Sequence, residues 1–211
     1  MPLEAKICGL STPATLDAAI KGGASHVGFV FFPPSPRALS FDAARALAAR
    51  VPPHVNRVGV FVDPSNAFIE QAVGSGALDT IQLHGTPPAR CAAIAAQTGK
   101  EVWAALPIRT TADLGEAKRY AGAVARLLYD AKTEGGQLPG GMGARFDWRL
   151  LEGFAHPLPW GLAGGLDAGN LQEAVGITGA RLVDVSSGVE SAAGVKDVDK
   201  IGRFLALAAQ L

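Results

Sequence analysis

Residues 126–148 read RLLYDAKTEGGQLPGGMGARFDW, and this segment holds one complete β-to-α unit. It begins with a short apolar run, Leu127-Leu128-Tyr129, that stops at a carboxylate, Asp130. A glycine-rich loop follows, and then Phe146-Asp147-Trp148, where an aspartate in the N-cap position opens the next helical pattern. A strand of this kind delivers its last side chain to one rim of a parallel sheet. The segment Gly140-Gly141-Met142-Gly143 leaves backbone N–H groups bare enough to meet an anion. An acid and a candidate phosphate cradle therefore lie within fourteen residues of each other. Glycine loops are also common connectors, so the segment gains its meaning from the other strand ends.

The same unit repeats along the chain. Short β-like runs at 3–8, 26–32, 56–62, 79–84, 101–106, 125–130, 160–163 and 182–186 alternate with amphipathic, alanine-rich stretches. Those stretches fall at 14–21, 41–49, 65–73, 88–97, 111–120, 148–152, 168–175 and 197–209. Many runs are continuously apolar, as in Val27-Gly28-Phe29-Val30-Phe31, the pattern of strands covered on both faces and hence of a parallel sheet. Eight units in 211 residues average about 26 each, close to the minimum for a βα repeat. They predict class α/β and a single closed (β/α)8 TIM barrel, since closure removes both sheet edges. A doubly wound open sheet is the alternative, but Gly9-Leu10-Ser11 after the first run is no dinucleotide fingerprint. No composition shift or polar linker divides the chain, so residues 1–211 are expected to form one domain. In either fold, chemistry belongs at the C-terminal ends of the strands.

Composition narrows the partners. Hydrophobic residues make up 48% of the chain, which excludes disorder, and no apolar run approaches the ~18 residues needed to span a bilayer. Met1-Pro2-Leu3-Glu4-Ala5-Lys6 lacks the basic start and apolar continuation of a signal peptide. Lysine plus arginine equals aspartate plus glutamate at 19 each, so neither nucleic acid nor an anionic membrane is expected as a partner. Any bound anion must be held locally. Cys8 and Cys91 are too few for a disulfide scaffold and form no zinc pattern, so no metal is expected. A reducing cytosol is the simplest location.

The strand ends supply local chemistry. Strand one ends Lys6-Ile7-Cys8-Gly9, placing a thiol at the rim with room beside it. An electropositive setting would make Cys8 a base or nucleophile; otherwise it is a small packing residue. Cys91 lies in an alanine-rich helical pattern and is expected to pack. Strand two runs into Pro33-Pro34-Ser35-Pro36-Arg37, a loop stiffened by prolines. It presents Arg37 either as a planar carboxylate clamp or as a solvated surface group. Strand four ends Gln82-Leu83-His84-Gly85; if inward at period two, Gln82 and His84 add polar groups to the pocket, with His84 as scaffold or as acid/base. Asp63 before Pro64 reads as turn chemistry, and strand five offers nothing. Strand seven ends in Gly164 and Gly165, strand eight in Ser186, Ser187 and Gly188. Together with the loop after strand six these are what a barrel's phosphate site needs, since backbone N–H groups and a short helix start point at the anion.

Lys6-Ile7-Cys8-Gly9, Gly28-Phe29-Val30-Phe31, Arg57-Val58-Gly59-Val60-Phe61-Val62, Gln82-Leu83-His84-Gly85, Gly140-Gly141-x-Gly143-x-x-Phe146-Asp147-Trp148, Gly164-Gly165-Leu166 and Asp184-Val185-Ser186-Ser187-Gly188-Val189-Glu190 occur in this order. Jointly they resemble the phosphoribosylanthranilate isomerases of tryptophan biosynthesis, across essentially the whole chain. The resemblance implies a (β/α)8 barrel without metal or organic cofactor, acting on a small phosphorylated substrate. The implied reaction is the Amadori rearrangement of N-(5-phosphoribosyl)anthranilate to 1-(2-carboxyphenylamino)-1-deoxyribulose 5-phosphate. It also implies Cys8 as general base, Asp130 as general acid and Arg37 at the anthranilate end, with phosphate near Gly141, Gly143, Gly165, Ser186 and Ser187. One departure is visible: Met142 stands where the family usually has Ser or Thr. Its flanking glycines keep their backbone donors.

The implied acid needs a condition that sequence does not display. A carboxyl donates near neutral pH only if burial or a neighbouring anion retains its proton. Related barrels would read differently: a histidine-pathway isomerase carries aspartate where Cys8 stands, and indole-glycerol-phosphate synthase chemistry wants a strand-end lysine paired with glutamate. A metal-dependent epimerase needs a His/Asp cluster that four scattered histidines do not supply. A non-catalytic, ligand-binding barrel is the rival of another class; loss of Cys8 or Asp130 would signal it, and both are present. A monomer and a homodimer are both compatible with the sequence.

Overall fold

The computed structural model describes residues 2–132, 143 and 145–211. Eight strands lie in sequence order around a closed barrel. They are β1 (Glu4–Cys8), β2 (His26–Val30), β3 (Asn56–Val62), β4 (Thr80–His84), β5 (Glu101–Ile108), β6 (Arg126–Ala131), β7 (Trp160–Leu162) and β8 (Leu182–Val185). All neighbours are parallel, and β8 closes on β1 with Lys6 opposite Asp184. The expected (β/α)8 barrel is the observed fold, and the open sheet is excluded by that closure.

The outer layer comprises α1 (Pro13–Lys21), α2 (Phe41–Ala48), α3 (Asn66–Gly76), α4 (Pro88–Thr98), α5 (Thr111–Gly115), α6 (Leu171–Thr178) and α7 (Val198–Ala208). Thr12, Ser40, Ser65 and Asp197 each accept a backbone N–H three residues on, which starts α1, α2, α3 and α7. Three helical expectations need correction. The 111–120 stretch is α5 followed by a 3-10 turn, Glu116–Tyr120, broken at helix-weak Gly115. The 148–152 pattern is a 3-10 turn, Trp148–Leu151, capped by Asp147. The 168–175 helix begins later because Asp167 Oδ1 accepts from the Gly169 and Asn170 N–H groups, closing a local turn first. After β8 a short 3-10 turn, Ser187–Val189, stands where an extra short helix was expected, and it is followed by an unexpected short hairpin, β9 (Glu190–Ala192) with β10 (Val195–Lys196). No helix among the described residues is long and apolar enough to cross a membrane.

Period-two alternation divides the buried side chains. One set faces the helices, where Ile7, Phe29, Phe61, Leu83, Leu127 and Val183 join the main core. The other fills the barrel: Val58, Trp103, Ala105, Leu128 and Leu182 form an apolar plug. One pleat nearer the C-terminal strand ends, Cys8, Val30 and Val60 form a smaller cluster. That layer is the floor of the site.

Candidate active site

A pocket with an empty volume of about 740 Å³, open solvent at its mouth included, lies over this floor. Cys8, Arg37, Gln82, His84 and Asp130 all line it, as do Gly164, Gly165, Ser186 and Ser187. Cys8 and Ser187, at the two ends of the barrel's strand order, therefore share one cavity.

Asp130 ends its inward face of β6 and accepts the Ala131 N–H at 2.8 Å through Oδ1. Burial pushes its carboxyl up to about 7, and the negative charge of Asp184 adds to the shift. Gly164 makes the placement possible. A Cβ there would fall 2.6 Å from the Ala131 nitrogen and 3.1 Å from Asp130 Oδ1, and its φ of +87° is left-handed. The condition for a neutral-pH acid is thus built into the site.

Cys8 is 8% exposed. Lys6 lies two residues earlier on the same inward face, completely buried, and donates to Asp184 Oδ2 at 2.8 Å. Burial, with the Asp184 charge behind it, raises the Cys8 thiol above its ordinary range, while Lys6 and, more weakly, Lys196 pull it back. The electropositive setting exists, but burial outweighs it, so the thiolate is a scarce and strong base. Burial also works against the Lys6 charge; Asp184 and Cys8 together more than offset this and hold its pKa above the usual lysine value. Cys91 packs completely in α4, with burial lifting its thiol to about 11.

Arg37 is 6% exposed, not a solvated group. Its Nε and Nη2 donate to the two oxygens of Glu190 at 2.7 and 2.8 Å. Gln82 Nε2 lies 3.0 Å from His84 Nε2; with the amide donating, His84 carries its proton on Nδ1. Burial, with the Lys6 charge second, depresses His84 to about 4. It is a neutral scaffold member, not an acid at physiological pH. Gln82 Oε1 has no partner among the described residues.

Gly164, Gly165, Ser186 and Ser187 also face the cavity. A Cβ on Gly143 would fall 3.8 Å from Ser187 Oγ, so this part of the loop after β6 meets the loop after β8. Gly141 and Met142 lie outside the described residues. Gly188 does not line the cavity. A Cβ there would fall 1.9 Å from the Leu166 carbonyl oxygen, so its smallness lets two loops pack.

Sequence reasoning gave no role to Lys6, Asp184, Ser35, Glu190 or Lys196. Asp184 and Ser35 line the pocket, and Asp184 Oδ1 has no partner among the described residues. The available signal was parity: Lys6 shares the inward face of Cys8, and Asp184 that of Ser186. Among the described residues, no group of three or more His, Cys, Asp or Glu side chains has metal-ligand geometry.

The chain is similar to known proteins over nearly its whole length. A family model described as N-(5'phosphoribosyl)anthranilate (PRA) isomerase matches residues 5–206. The N-(5'-phosphoribosyl)anthranilate isomerase of Zymomonas mobilis subsp. pomaceae is 55% identical over 207 residues, 97% of each chain. The phosphoribosyl anthranilate isomerase of Thermotoga maritima superposes with a TM-score of 0.88 at 34% identity, covering 99% of this chain and 100% of that one. Another such isomerase was crystallised with reduced 1-(o-carboxyphenylamino)-1-deoxyribulose 5-phosphate. It superposes at 0.86 with 32% identity, over 99% and 100% of the two chains.

Proposed function

The chain belongs to the N-(5'-phosphoribosyl)anthranilate isomerase family and is an isomerase of tryptophan biosynthesis, and we propose that it works with Cys8 as base and Asp130 as acid. Asp130 donates its proton to the ribose ring oxygen as the C1′–O bond breaks, leaving an open-chain iminium. The Cys8 thiolate removes the C2′ proton, acidified by the adjacent C=N cation. The resulting enolamine takes up a proton at C1′ and tautomerises to the ketone, so no atoms are gained or lost. Arg37 meets the anthranilate carboxylate, Gln82 and His84 the sugar. Gly143, Gly164, Gly165, Ser186 and Ser187 hold the phosphate, with Gly141 and Gly188 in the same loops.

The observation that supports this most is the environment of Asp130. A carboxyl held at about 7 faces the same cavity as a thiol flanked by Lys6, and general acids work best with a pKa near the operating pH. Residues 1–211 are read as one catalytic unit, as monomer or homodimer. Its two free thiols suit a cytosolic location.

The test is turnover of N-(5-phosphoribosyl)anthranilate by the purified protein alongside thiol labelling. Alkylation should abolish activity in step with labelling of the Cys8 peptide, and a phosphorylated product analogue should slow both. Cys8→Ser should be severely impaired, because a hydroxyl is hardly ionised near neutral pH, whereas Cys91→Ser should keep its chemistry. Normal turnover by Cys8→Ser, or activity that tracks Cys91, removes Cys8 from the mechanism.

A further inference from the structure

Three charged side chains are buried together at the pocket wall: Arg37, Glu190 and Lys196, at 6%, 7% and 8% exposure. Glu190 Oε1 accepts from Arg37 Nε at 2.7 Å and from Lys196 Nζ at 2.5 Å. Its Oε2 accepts from Arg37 Nη2 at 2.8 Å and from the Gly194 N–H at 3.2 Å. Lys196 also donates to the Ser186 carbonyl at 3.0 Å. Burying such charges contributes little to stability by itself, since desolvation opposes the attraction. Anchoring a loop would need one pair; here two cations share one carboxylate. Burial disfavours the Glu190 charge, but Arg37 and Lys196 more than offset this and keep its pKa below the ordinary glutamate value.

The geometry constrains Arg37 from two sides. Its stem crosses Gly9, where a Cβ would fall 2.7 Å from Arg37 Cδ. Its Nε–Nη2 edge is held by both oxygens of Glu190, which fixes the plane of the guanidinium. Arg37 lines the cavity, while Glu190 and Lys196 stand behind it. A carboxylate entering the cavity thus meets a guanidinium whose plane is already set.

We propose that Glu190, gripped by Lys196, is the positioning residue that aims Arg37 at the aryl carboxylate of the substrate and so sets specificity for a carboxylate-bearing ligand. This rests on the reading of Arg37 as the contact for the anthranilate end. The cluster thereby joins the β9–β10 hairpin to recognition. Freezing the arginine before binding removes an ordering cost that a flexible side chain would meet on contact.

The experiment measures binding of two ligands. One is reduced 1-(o-carboxyphenylamino)-1-deoxyribulose 5-phosphate; the other is the same molecule with an unsubstituted phenyl ring. Wild type, Arg37→Ala, Glu190→Gln and the double variant are compared by calorimetry, with kcat and KM alongside. Each single variant should bind the carboxylate ligand about tenfold or more weakly, the scale of a lost charged hydrogen bond. The phenyl ligand should be nearly unaffected, and KM should change more than kcat. The double variant should be no worse than Arg37→Ala, since Glu190 acts through Arg37. A Glu190→Gln variant that weakens both ligands alike, or whose loss adds to that of Arg37→Ala, overturns the positioning role and leaves the Arg37 contact standing. Unchanged discrimination in Arg37→Ala overturns both. If Glu190→Gln fails to fold, Glu190→Asp is read in its place: one methylene shorter, it should lose affinity for the carboxylate ligand alone.

Discussion

Asp130 and Cys8 must hold opposite protonation states, and burial lifts the pKa of both. The reaction needs a proton on Asp130 and none on Cys8. When the pair holds one proton, its preferred seat is the group of higher pKa, Cys8, so the productive arrangement is the minor one. Both arrangements carry the same number of protons, so their ratio does not change with pH. The kcat/KM profile should therefore rise through about 7 and fall only at the higher pKa of Cys8. Asp130→Asn should remove the limb near neutrality and lower kcat roughly 10²-fold; a limb that survives belongs to another group. Stability gives an independent measurement. The folded-state pKa of Asp130 lies above its unfolded value of ~3.9, so its contribution is full below that value and is lost as pH rises through about 7. Asp130→Asn carries no charge to bury. In urea titrations it should gain on wild type by roughly 1–3 kcal/mol between about pH 5 and 8, at about 1.4 kcal/mol per pKa unit less the effect of coupling to Asp184 and Lys6. A pH-independent difference refutes the shift.

Among the elements, the loops after β7 and β8 are locked by one missing side chain. The Cβ that Gly188 lacks would fall on backbone, the Leu166 carbonyl, which cannot swing aside. Gly188→Ala should destabilise the fold by roughly 1–3 kcal/mol, as overpacking does, and should weaken phosphate binding as a consequence. If the variant keeps wild-type stability but loses phosphate, the glycine meets the anion directly and the packing account fails. This distinction was not legible in the sequence, where Ser187-Gly188 reads equally as anion loop or tight packing. What was legible followed from periodicity: eight apolar runs became β1 to β8 in order, and the strand-end positions of Cys8, Gln82, His84 and Asp130 face one cavity. The starts of α1, α2, α3 and α7 fall within one residue of the expected stretches. The β9–β10 hairpin was not, because its short strands carry Glu190 and Lys196, which look like a solvated turn until their burial against Arg37 is seen. Lys6 and Asp184 escaped for a related reason. Their partnership spans 178 positions and exists only once the barrel closes.

At the scale of the whole molecule, that closure and the chemistry are one feature. Lys6 and Asp184 face each other across the β1–β8 seam, joined at 2.8 Å in the barrel interior. The same two charges act on both members of the catalytic pair: Lys6 favours their ionised forms and Asp184 opposes them, with Lys6 the larger influence at Cys8 and Asp184 the larger at Asp130. Stability and activity should therefore respond differently to removing one charge or both. Lys6→Met or Asp184→Asn alone leaves a buried charge unpaired, which typically costs about 3–5 kcal/mol. Lys6→Met with Asp184→Leu replaces the pair by apolar groups, and such replacements are often neutral or better; the double variant should recover most of the denaturation midpoint. Turnover should not recover with it, because Cys8 loses its nearest cation and Asp130 the anion that supports its proton. The singles add a directional check: in Asp184→Asn the limb of the pH profile near 7 should move to lower pH, since the charge that raises Asp130 is gone and Lys6 remains. A double variant that regains both midpoint and turnover would show the pair to be a structural staple alone. One that regains the midpoint and stays inactive ties the seam of the barrel to its catalysis.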